Sequence, residues 1–147
     1  MSNNSALTVK RMIDANPETI FEALTNEQIM EKWFFAAPEG TGATVKSKAS
    51  VGGKYQIDMH EKEKTFTHTG EFKEVIPNKK LVFTWNSHVV EDTVVTITLN
   101  KTREGTEVTL VHEFLPNEKL VEGHNKGWNV ILDRLENVVA ERDTVTG

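Results

Sequence analysis

Cysteine is absent from the 147 residues, tyrosine occurs once and proline four times. No apolar run approaches the ~18 residues that a membrane-spanning helix needs. Without thiols there can be no disulfide, no thiolate metal site and no cysteine nucleophile, which fits a reducing compartment. The stretch Met1 to Arg11 lacks the basic start, apolar core and small-residue cleavage site of an export signal, so a cytoplasmic protein without a membrane span is expected. Seventeen basic and 22 acidic side chains are scattered along the chain, for a net charge of -5. That distribution offers no patch for a phosphate backbone and argues against nucleic acid as a partner. Gly52-Gly53 is followed by neither a helix start nor a Gly-Lys-Ser/Thr pattern, so it is no phosphate cradle. No serine, histidine and acid arrangement announces a catalytic triad, and no cofactor is expected.

What the chain does have is one long helical pattern. Val121, His124, Trp128, Ile131, Leu132, Leu135, Val138 and Val139 recur at three- and four-residue intervals, with Asn129, Asp133, Glu136 and Glu141 on the opposite face. Asn117 supplies an N-cap and Glu118 an acid at the positive end of the dipole, so a helix over Lys119 to Arg142 is predicted, spanning roughly 36 Å. Gly123 and Gly127 lie in its first half, and its second half is continuous aliphatic packing. Near the N-terminus, Ala6 to Ile13 alternates as a strand. Asn16-Pro17-Glu18 then opens a short helix carrying Ile20, Phe21 and Leu24. Asn26-Glu27 opens another, with Ile29, Met30, Trp33 and Phe34 as its stripe over about two turns. Residues 36–44, containing Pro38, Gly40 and Gly42, read as a flexible connection.

From Ala43 the hydrophobic period changes to two. After a short strand near Val45 come Tyr55, Ile57 and Met59; then Phe66, His68, Gly70, Phe72 and Glu74; then Leu81, Phe83 and Trp85. Val95, Ile97 and Leu99 follow, and the turn at Glu104-Gly105 leads onto Val108, Leu110, His112 and Phe114. Seven antiparallel strands, two short helices after the first and one long helix at the end make an α+β domain over residues 1–147, its dry face covered by the last helix.

The ordered set of motifs resembles a known family. Trp33-Phe34, Gly52-Gly53-Lys54-Tyr55, Gly70 to Pro77 running into Leu81 to Trp85, Val95 to Leu99, Gly105 to His112, Gly127-Trp128 and Leu132 to Leu135 are similar, in sequence and spacing, to bacterial relatives of the activator of the heat-shock protein 90 ATPase. That family sits in the START-like (SRPBCC) superfamily, and the resemblance covers nearly the whole chain. It implies a helix-grip fold, in which a seven-stranded sheet grips a C-terminal helix, often around an apolar cavity. A stress-response setting and a chaperone ATPase as partner are implied by the family name. The additional N-terminal domain that makes much of the chaperone contact in the eukaryotic activator has no counterpart in this sequence. One fold of this kind hosts many functions, so the task must be argued from the site.

The expected site is the space between sheet and helix. Trp33, Tyr55, Ile57, Met59, His68, Phe72, Phe83, Trp85, His112, His124 and Trp128 are its candidate ligand-binding residues, an apolar set with a few polar groups, as small-molecule pockets have. Trp33 and Phe34 could gate it, or plug it without moving. Glu74 either faces a ligand or is turned to solvent by a bulge before Ile76-Pro77. His68 and His112 with Glu74 fall short of a metal ligand set, so no metal is expected. His60 and His88 sit in tips facing water. Three functions follow: a binding protein for a small apolar molecule, aromatic, lipid-like or polyketide-like; a stimulator of a chaperone ATPase; or an enzyme on a cyclic substrate with His112 as proton carrier. The first, which is not an enzyme, is the leading expectation, and no oligomeric state follows from the sequence.

Overall fold

Two-residue alternation over residues 43–114 becomes one antiparallel sheet in the computed structural model, which describes residues 5–35, 40–61 and 63–146. The elements are β1 (Ser5–Ile13), α1 (Pro17–Thr25), α2 (Glu27–Met30), β2 (Gly40–Ser47), β3 (Lys54–Glu61), β4 (Lys64–Ile76), β5 (Lys80–Trp85), β6 (Thr93–Thr102), β7 (Gly105–Leu115) and α3 (Glu118–Thr146). In space the strands run β1-β7-β6-β5-β4-β3-β2, so β1 and β2 form opposite edges. The two short helices therefore carry the chain from one edge to the other. This is the expected helix-grip α+β architecture.

Helix α3 is docked by both of its faces. Trp128, Ile131, Leu132, Leu135 and Val139 are buried as the periodicity requires. On its polar side Arg11 of β1 forms a salt bridge with Asp133 and donates to Asn129 Oδ1 at 2.9 Å, a pairing that fixes the helix against the sheet edge. Asn117 Oδ1 accepts from the Leu120 N–H at 2.9 Å, the N-cap the sequence announced. The helix continues past Arg142 to Thr146.

Three local expectations change and one open alternative resolves. Residues 36–39 lie outside the described residues, but from Gly40 the predicted connection is already strand β2, paired to β3 through a bulge at Gly40 and Gly42. Gly42 has φ 122°, so the glycine that signals a loop serves a bulge instead. The exposed edge of β2 is covered by α2: Glu31 Oε2 accepts from the Val45 N–H at 2.9 Å and Glu27 Oε2 from that of Ser47 at 2.7 Å. Helix α2 itself is one turn long, because Trp33 and Phe34 are held by packing rather than by continued helix. Phe114, expected inside, is exposed: it sits at φ 68° where the β1–β7 register shifts, and Leu115 takes the buried place. Of the two alternatives for Glu74, the bulge holds; the β4–β5 register shifts between Phe72 and Glu74, and Glu74 meets Lys80 at 3.0 Å in a half-exposed ion pair.

Candidate functional site

The space between sheet and helices has two ends of opposite character. Toward α1 and α2 it is filled: Leu24, Met30, Tyr55, Ile57, Phe72 and Phe83 close on a void of only about 10 Å³. Tyr55 shows how completely. Its ring packs edge-on against Phe83 at 5.5 Å, and its hydroxyl donates to the Thr84 carbonyl at 2.6 Å. That reach exists because Gly70 has no side chain; a Cβ there would lie 1.9 Å from Thr84 O and 2.7 Å from the Tyr55 hydroxyl. Burial pushes the phenol above its ordinary range, so Tyr55 is a neutral strut whose one donor is already used.

Toward the first half of α3 the space opens. A half-open cavity of about 350 Å³ is bordered by Met59, His68 and Trp85 from the sheet, by His88 and Val89 from the β5–β6 connection, and by α3. Helix α3 contributes Leu120, Gly123, His124, Gly127, Trp128 and Ile131. A second recess of about 170 Å³ shares Met59, His68 and His88 and adds Phe35, His60, Glu61 and Phe66. Phe34 divides the two ends, stacked on Trp85 at 5.9 Å and edge-on to Trp128 at 5.8 Å while lining the filled end.

Of the expected site residues, Met59, His68, Trp85, His124 and Trp128 thus come together at the open end, whereas Tyr55, Ile57, Phe72 and Phe83 belong to the filled end. Trp33 borders neither. It is 1% exposed and its indole N–H donates to the Ala23 carbonyl at 3.0 Å. The helix start at Asn16-Pro17 is what brings that carbonyl beneath the indole. His88 and His60, read from sequence as tips facing water, border the recesses. His60 bonds Thr44 at 2.7 Å, and His88 lies against Phe66 at 5.5 Å. Residue type offered one signal that could have found them: all five histidines of the chain gather here.

His112 lies behind this wall, fully buried. Trp128 Nε1–H donates to His112 Nδ1 at 3.0 Å, and an indole nitrogen can only donate. The ring proton must therefore sit on Nε2, which donates to Thr93 Oγ1 at 2.8 Å, and the Thr93 hydroxyl passes its hydrogen to the Trp85 carbonyl at 2.6 Å. Every position in this chain is used. Desolvation first, and His124 second, hold His112 down to about 3. A neutral imidazole with neither a free lone pair nor a free proton is a strut between sheet and helix, which argues against His112 as a proton carrier.

Two buried polar atoms at the open end lack such service: Trp85 Nε1 and His68 Nδ1 make no hydrogen bond to another described group. The His68 ring lies 4.8 Å from that of Trp85. Burial lowers His68 to about 4, against the opposing pull of the Ile57 and Phe66 carbonyls. His124 donates through Nδ1 to the Leu120 carbonyl at 2.8 Å, which leaves Nε2 as its free ring position. Among the described residues no three His, Asp or Glu side chains are placed to hold a metal ion.

A family model described as Activator of Hsp90 ATPase homolog 1-like protein matches residues 14–140. Among solved structures, a protein from Nitrosomonas europaea is 25% identical, covers 95% of this chain and 96% of its own, and superimposes with a TM-score of 0.79. One from Mesorhizobium loti is also 25% identical, with coverages of 93% and 98% and a TM-score of 0.78. The AHSA1-like protein from Aeromonas hydrophila, 20% identical, shares the fold with a TM-score of 0.81 over 95% of this chain and 94% of its own. No curated protein matches the chain.

Proposed function

We propose, from the fact that this chain belongs to the Activator of Hsp90 ATPase homolog 1-like family, that it is a binding protein for a small apolar molecule held between the sheet and the first half of α3. The observation that carries this reading is the contrast in filling. A core that closes to about 10 Å³ at one end leaves about 350 Å³ at the other, above the ~300 Å³ at which ligand pockets begin. Native cores pack like organic crystals, so a recess of this size lined by Met59, Trp85, Trp128 and Ile131 is a feature to be explained. Two residues that border it, Trp85 and His68, each keep a buried polar atom without a hydrogen-bond partner, which a ligand could serve once the wall adjusts.

A thermal-shift screen over fatty acids, planar aromatics and polyketide-like compounds tests it. A ligand at a hundredfold over its dissociation constant stabilises the fold by about 2.7 kcal/mol. A screen that moves nothing removes the reading. The family description supports a second role, stimulation of a chaperone ATPase; an unchanged ATPase rate on mixing this protein with the bacterial chaperone of that class eliminates it.

A further inference from the structure

We infer that the molecule bound at the open end is an apolar acid, an aromatic or alkyl body carrying one anionic group that sits among His68, His88, His124 and the Trp85 N–H and is bound together with a proton. This rests on the binding reading above and names the chemical class it would accept.

Among the described residues, the lining of the 350 Å³ cavity contains three histidines and no Asp, Glu, Lys or Arg. Its other polar groups are the Ser87 hydroxyl and the Trp85 indole N–H, which is buried, unpartnered and able only to donate. A ligand group placed against that N–H must bring an acceptor, and a carboxylate is an acceptor with room for several donors. His68 Nδ1, also buried and unpartnered, becomes a second donor once the ring is charged. His124 has its Nδ1 committed to Leu120, so charging it places a proton on Nε2. The body of the ligand would lie against Met59, Trp128 and Ile131.

Of the other charged groups on the neighbouring elements, Arg134 of α3 lies over the Phe35 ring of the adjoining recess at 4.0 Å, and Lys119 and Lys126 of α3 are exposed and border neither recess. From β3, His60 and Glu61 border the adjoining 170 Å³ recess, and Glu61 is the one described carboxylate there. Glu91 and Asp92, in the β5–β6 connection, and Glu122, on α3, are exposed and border neither recess. The net charge of -5 opposes an anion at long range, but exposed charges are screened beyond ~8 Å at physiological salt, so the acid-free wall decides. Burial holds His68 neutral near pH 7. An anion beside it offsets that penalty and draws a proton onto the ring, so affinity rises as pH falls.

The test is calorimetric titration of the intact chain with 1-naphthoic acid and dodecanoic acid against their amides, at pH 6 and pH 8, where naphthoate is ionised throughout. Naphthoate, or dodecanoate, is expected to bind at least about tenfold more tightly at pH 6, with net proton uptake seen as a dependence on buffer ionisation heat. The amides should show neither effect. In the triple variant H68L/H88L/H124L the pH dependence of the acids should vanish, and far-UV circular dichroism checks that the variant is folded. Amides that match the acids at both pH values, or an acid affinity that is flat with pH, overturn the anion assignment and leave the binding reading standing. Retention of the full pH dependence in H68L/H88L/H124L overturns it too. If neither acids nor amides bind at either pH, the binding reading itself falls.

Discussion

The two ends of the space between sheet and helices are built from the same alternating strands, yet one is solid and the other hollow. At the filled end every side chain has a complementary neighbour, and the lone tyrosine spends its hydroxyl on Thr84 through the gap left by Gly70. At the open end the helix supplies Gly123 and Gly127 where bulk would be needed, and the strands supply His68 and Trp85 with polar atoms unserved. On the proposed reading, the difference teaches that stability and binding occupy separate residues. Phe34 is the partition, and His112 is the strut that holds the two walls of the open end apart.

That separation can be broken deliberately. Phe83→Ala cuts the filled end and should cost about 4 kcal/mol, measured by urea unfolding, with little change in the affinity of whatever binds at the other end. Acidification attacks the strut. His112 is held near 3 in the fold against 6.5 as its ordinary value, so between those values the unfolded chain takes up a proton that the native chain refuses. The contribution of neutral His112 is complete above pH 6.5 and fades as pH falls. On the order of 3 kcal/mol should be lost by pH 4, a slope that His112→Gln should flatten in pH-dependent unfolding. Gly70→Ala forces a Cβ onto a backbone carbonyl and should cost about 2 to 3 kcal/mol, although alanine is otherwise favoured in a strand over glycine. Smallest is Gly123→Ala: a Cβ there meets nothing within 4 Å, so the helix should gain about 0.5 to 1 kcal/mol. Gly123→Phe, read by the same titrations, sharpens the contrast by blocking ligand while the melting temperature holds.

Much of this was legible before any coordinates. Period-two segments gave their inward faces correctly at Tyr55, Ile57, Phe83, Ile97 and Leu110, because a half-buried strand leaves no other choice. The misreadings fall where backbone geometry departs from regular pairing. A positive φ turned Phe114 outward. Glycines at 40 and 42 served a bulged strand instead of a loop. A single register shift flips every following side chain, and nothing in the local pattern marks it.

The candidate site was half legible. Met59, His68, Trp85, His124 and Trp128 could be named from alternation and helical spacing, since both report which way a side chain faces. How far apart facing residues stand is a different quantity. It depends on sheet curvature, on where α3 crosses, and on the packing of Trp33 and Phe34, all of which sum contacts distant in sequence. The inward faces of the strands and the apolar stripe of the last helix were thus set by the sequence itself. Only the tertiary structure decided that Tyr55 is a strut with its one donor used and His112 a strut with both ring nitrogens used, while His68 and Trp85 border open space. A polar atom's availability depends on its partners, and these come from strands and helices that the chain brings together only when it folds.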